Sequence, residues 1–121
     1  MRAFRLFAAA IVVGISLPAL ADPPTLQIQQ QATLDAAGVV VTVVANCGDG
    51  ASDALVVVMV RQGNETGEGV LPFASTGNRQ VLNVQVVGAF APGDAAATAE
   101  LSCAGMPEGL VTGAFIKIVA P

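Results

Sequence analysis

Cys47 and Cys103 are the only cysteines in this chain of 121 residues, and with nine Asp and Glu they make up most of its side-chain chemistry. There is no His, so no Ser-His-Asp or Cys-His pair and no imidazole metal ligand can be assembled. Ser52, Ser75 and Ser102 therefore lack a histidine base, and none sits in a Gly-x-Ser-x-Gly elbow. The glycine-rich run Gly63 to Gly69 (GNETGEG) lacks the Gly-Lys-Ser/Thr ending that a phosphate cradle requires. Paired carboxylates for glycoside hydrolysis would need sugar-stacking contacts, and the chain has no Trp or Tyr. With five Lys and Arg against nine acids, nucleic acid is an unsuitable partner. These residues specify no enzyme and no cofactor.

The acidic groups lie in turn-like segments. If the strands run up and down in chain order, Asp35, Glu65, Glu68 and Asp94 share one end, and Asp49, Asp53 and Glu108 the other. Calcium takes about six to eight oxygen ligands, and the first group is a weak candidate for it, without EF-hand spacing. No other metal site is indicated: Met59 and Met106 are too few for a thioether site, Met59 reading as core or core-edge and Met106 as loop. Asn64-Glu65-Thr66 forms an N-x-T acceptor in the same loop as Glu65, meaningful only in a host that glycosylates it.

The elements that would position these groups are strands. After Pro24 hydrophobicity alternates with a period of two and no helical period is sustained. Leu26, Ile28, Ala32 and Leu34 share one parity, and Val39 to Cys47 places Val39, Val41, Val43, Ala45 and Cys47 on another inward face. Ala54 to Gln62 is apolar on both parities, as suits a strand covered on both sides or central in its sheet. Gly63 to Gly69 reads as a loop, followed by a short strand at Val70 to Phe73 that Pro72 demotes to an edge. Arg79 to Val87, Ala95 to Cys103 and a last strand ending near Val119 complete a count of about seven. Ile116 and Ile118 flank an outward Lys117 in that last strand.

Residues 1–21 read as a secretory signal peptide: Arg2 and Arg5, the apolar stretch Leu6 to Leu17, then Pro18 and Ala19-Leu20-Ala21 before a cut at Asp22. The apolar stretch through Ala21 is short of the ~20 residues that span a bilayer, and no Cys follows the cut to carry a lipid. Removing Arg2 and Arg5 leaves three basic and nine acidic groups, a mature domain (residues 22–121) of net charge −6. An exported chain meets an oxidising compartment, so Cys47 and Cys103 are expected as a disulfide.

The Cys-bearing second strand, the Val-rich third and the turn Phe90-Ala91-Pro92-Gly93-Asp94-Ala95 before a second Cys-bearing strand resemble small secreted bacterial immunoglobulin-like domains. The resemblance implies an antiparallel β-sandwich whose second and sixth strands face each other across the core, joined by one inter-sheet disulfide. It supplies no catalytic residues, and the core Trp and the corner Tyr of antibody domains are missing.

Three roles follow. The first is an exported, non-catalytic structural or protein-interaction module, whose Thr25 to Leu34 segment has the alternation used in strand addition. The second is a carrier of small apolar ligands, resembling the apoproteins of chromoprotein antibiotics in size and acidity, with Phe73, Phe90 and Phe115 as lining residues or, more simply, core. The third is a strand-exchanging pilus-type subunit. The mature product should be secreted or periplasmic, with an unidentified protein as the expected partner.

Overall fold

The computed structural model describes residues 23–48, 53–106 and 108–121, and the expected signal peptide lies outside them. Eight strands follow in chain order, with no helix among the described residues: β1 (Thr25–Ile28), β2 (Gln31–Leu34), β3 (Gly38–Asn46), β4 (Asp53–Gln62), β5 (Glu65–Ala74), β6 (Gln80–Val87), β7 (Gly93–Cys103) and β8 (Leu110–Val119).

All eight belong to one hydrogen-bonded sheet, in the order β1-β3-β2-β8-β7-β4-β5 with β6 on β3. The link is β2. It meets β3 antiparallel through Thr33↔Val40 and Leu34↔Val39, and runs parallel to β8 from Gln31↔Lys117 to Thr33↔Val119. Around this link the sheet doubles back, so that Val39, Val41 and Val43 of β3 and Val84 and Val86 of β6 share a core with Val56, Val58 and Val60 of β4. Ala95, Ala97, Ala99, Ile116 and Ile118 fill the remaining space. β-Branched residues fit this pleated, half-buried setting because their restricted χ1 costs little there. No polar or charged side chain is buried among the described residues.

The strand count differs from the expected seven because the first strand is broken. Residues 29 and 30 interrupt it, and its two halves pair with different neighbours, β1 with β3 and β2 mainly with β8. Parity survives the break, since Ile28 and Ala32 are both buried. Residues Thr25–Leu34 are thus already paired within their own fold. Counted as one broken strand, they leave Cys47 at the end of the second strand and Cys103 at the end of the sixth. The two are bonded, with Cα atoms 5.8 Å apart and a separation of 56 in sequence. Ala45, Ala54 and Leu101 form a second buried cluster around the bond, with Leu26, Phe73, Leu82, Met106 and Leu110 packed against it.

The expected loop at Gly63 to Gly69 is the largest departure. Gln62 pairs with Glu65, so the connection is a two-residue hairpin turn of Gly63 and Asn64, and β5 runs ten residues instead of the short Val70 to Phe73 piece. Gly63 takes φ 59°, the left-handed conformation such turns require. Gly67 and Gly69 then lie on the inward face of β5, where a Cβ would collide with the carbonyl oxygens of Val87 and Gln85 on β6. Glycine therefore lets β5 close over β6, whose ladder partner among the described residues is β3 alone, and so covers an otherwise open strand edge. Gly69→Ala forces the Gln85 backbone away, and we expect it to cost about 1–3 kcal/mol, as overpacking does, read as a lowered midpoint in urea unfolding.

Candidate functional site

The fold has two outward faces of different character. On the β3–β6 side, Thr42 Oγ1 donates to Asn83 Oδ1 at 2.8 Å, and Gln85 Nε2 donates to Asp35 Oδ1 at 3.1 Å. Asp35 Oδ1 also accepts from the backbone N–H of Ala37 and Gly38, which fixes the β2–β3 turn. These polar side chains are occupied with one another, and the exposed Val81 and Val87 of β6 share their face.

The face formed by β8, β7, β4 and β5 mixes exposed apolar side chains with charged ones. Its rows follow from the registers. Phe115 lies opposite Ala96, which lies opposite Arg61, then Thr66. The next row is Gly113, Thr98, Met59 and Glu68; the one after it is Val111, Glu100, Val57 and Val70. Phe115 is 86% exposed, and Met59, Val70 and Val111 are also exposed, at 46%, 55% and 59%. Beside Phe115 the face drops into a shallow hollow of about 300 Å³ lined by Ala96, Ala97, Thr98, Gly113, Ala114 and Phe115 itself. A second hollow of about 550 Å³ lies on its other flank, between Gln30, Asp94, Ile116 and Lys117. Phe115 is thus a ring standing between two depressions. At the rim Lys117 Nζ comes within 3.9 Å of Asp94 Oδ1, an exposed pair that contributes little to stability.

The expected acidic group divides. The β2–β3 turn, the β4–β5 hairpin and the β6–β7 connection do share one end, since Gly88 N–H donates to Ala37 O and Ala89 N–H donates to Glu65 Oε2 at 2.9 Å. But Asp35 is held in its turn, Asp94 faces Lys117, and Glu68 sits out on β5 opposite Met59. No three acidic or cysteine side chains gather as a metal-binding group among the described residues. Asn64 occupies the exposed tip of the β4–β5 turn. Ser102 lies on the β8-β7-β4-β5 face in register with Leu55, while Ser52 and Asp49 lie outside the described residues.

The three phenylalanines are not brought together. Phe73 packs near the disulfide, Phe90 lies against Gly67 and Gly88 at the opposite end, and Phe115 stands in solvent. Met59, expected in the core or at its edge, faces outward, because the apolar run of β4 has one buried parity and one turned to the open face. That run was the available signal for the face: β4 is central, flanked by β5 and β7, yet uncovered on one side.

The β6–β7 connection is pinned to the hairpin by Gln62. Its Nε2 donates to Ala91 O at 2.8 Å and to Asp94 O, and its Oε1 accepts from Ala91 N–H at 2.9 Å. Gln62→Ala removes all three, and at this exposed site we expect a loss of about 1–2 kcal/mol, with faster hydrogen exchange at the Ala91 amide.

No protein-family model matches this sequence, and no curated protein is detectably similar to it.

Proposed function

We propose that the chain is an exported, non-catalytic protein-interaction module of immunoglobulin-like sandwich architecture that binds through the β8-β7-β4-β5 face. The observation that carries the reading is Phe115, 86% exposed on β8 between two hollows of the sheet face. Exposed apolar area on this scale is costly in water, and on stable soluble domains it marks a surface that a partner covers. The partner is a protein with an apolar patch, since a domain of net charge −6 repels nucleic acid and anionic lipid.

The immunoglobulin-like part rests on topology. The strands group as β1, β3 and β6 against β8, β7, β4 and β5, a broken first strand bridges the groups, and the disulfide joins the second and sixth strands of the seven-strand count. Export is supported by the N-terminal segment and by the disulfide, which persists in oxidising compartments. Among the described residues no helix is long and apolar enough to cross a membrane.

The test is a binding comparison between the immobilised mature wild type and Phe115→Glu, each offered the exported proteins of the source cell, this chain included. We expect species retained by the wild type and lost with Phe115→Glu, while Gln85→Glu on the β3–β6 face leaves retention unchanged. Equal retention by all three proteins contradicts the reading.

A further inference from the structure

We infer that the partner of the Phe115 face is a second copy of this chain, docked face to face about a two-fold axis; this rests on the reading above and specifies it. The face carries a knob and a hole side by side. Phe115 projects, and the adjoining hollow of about 300 Å³ exists because Gly113 has no side chain and Ala96, Ala97 and Ala114 have small ones. A two-fold axis crossing the strands between the rows of Phe115 and Gly113 seats each Phe115 in the other copy's hollow. Such an isologous arrangement requires the matching features to lie on one patch, as they do here.

The same operation places both basic side chains of the face beside acids of the partner and sets one acid over another. The row of Phe115, Ala96, Arg61 and Thr66 meets the partner's row of Gly113, Thr98, Met59 and Glu68. Arg61 then stands over Met59 of the partner subunit, beside the partner's Glu68. Lys117 and its ion-pair partner Asp94 lie one row further out and fall opposite Val111 and Glu100 of the partner subunit, so that Lys117 stands beside its own Asp94 and the partner's Glu100. Two of the three basic side chains of the mature domain lie on this face, each brought next to an acid. Within one copy Arg61 has no ion-pair partner among the described residues.

The size suffices. Four strands at about 4.8 Å spacing and about nine residues at ~3.3 Å rise give roughly 600 Å² per copy. The total of roughly 1,200 Å² is at the lower end for specific interfaces, so the dimer should be reversible.

Sedimentation velocity of the mature, oxidised protein from about 1 µM to about 1 mM tests this. The wild type is expected to move from monomer to twice the monomer mass. Phe115→Glu places a charge in the hollow, and Gly113→Leu fills the hollow. Each should weaken association at least about tenfold, the loss of about 1.4 kcal/mol. Neither should disturb the monomer, because Phe115 is in solvent and a Cβ on Gly113 meets only Ala97 O, at 3.6 Å; unchanged circular dichroism and melting verify this. Arg61→Glu should weaken the dimer, and adding Glu68→Arg should restore it. A wild type monomeric throughout overturns the inference, as does a dimer indifferent to Phe115→Glu and Gly113→Leu, or an Arg61→Glu defect that Glu68→Arg leaves unrepaired. If the wild type is monomeric but Phe115→Glu still abolishes retention of another protein, the interaction reading stands and the second copy alone is excluded.

Discussion

Breaking the Cys47–Cys103 bond is expected to destabilise the fold by about 4 kcal/mol. The bond closes a loop between residues 56 apart in sequence, and in the chain-entropy model the cost of leaving that loop open in the unfolded state grows with its length. A domain of this size has roughly 5–15 kcal/mol in total, and residues 22–121 hold only three Phe and no Trp or Tyr to enlarge the core. The bond therefore separates a folded domain from a marginal one. Urea unfolding with and without reductant measures it directly, and Cys47→Ala with Cys103→Ala should reproduce the reduced value. A shift below about 1 kcal/mol would mean that the unfolded chain is already compact.

Leu101→Ala is a second destabilising change. Leu101 is fully buried, at 0% exposure, in the cluster that surrounds the disulfide. Truncating it removes hydrophobic transfer energy and leaves a cavity between strands whose hydrogen-bonded ladders resist collapse, so about 2–5 kcal/mol is expected. The neighbouring ladder pairs Leu101 with Val56 of β4 and Leu110 of β8, which hold its backbone in place. Combined with loss of the disulfide, the effect should fall short of additive, because both changes loosen one cluster. Denaturation midpoints of the four proteins in the cycle give the coupling.

Much of the architecture was legible in the residues, and the failures have physical causes. β3, β6, β7 and β8 were readable because one face is buried and one is not, which is what period-two patterning records. Cys47 and Cys103 were placed inward by the same parity, and they are bonded. The first half of β5 was missed because glycine is ordinarily a strand breaker. At Gly67 and Gly69 the close approach of the β6 carbonyls outweighs that tendency, and no local signal encodes a neighbour twenty residues away. The break at residues 29 and 30 was missed because two polar residues between apolar pairs look like ordinary alternation, and only the change of partner from β3 to β8 reveals it.

The candidate face was present in the sequence in a form that composition obscures. In β8, buried Ile116 and Ile118 with outward Lys117 fix the parity, and the same parity sends Phe115 outward. Assigning phenylalanine to core or cleft follows the usual tendency of aromatic side chains, which a functional surface violates. Likewise Ala54 to Gln62 advertised apolar residues on both faces of β4, and one of those faces has no cover within the described chain.

This domain is proposed to act through the Phe115 face. A photo-crosslinking amino acid placed singly at position 115 and, as a control, at position 85 on the β3–β6 face, in the cells that make the protein, tests this. A discrete adduct is expected from position 115, of twice the monomer mass where the partner is a second copy, and none from position 85. Absence of any adduct from position 115, or the same adducts from both positions, would contradict it.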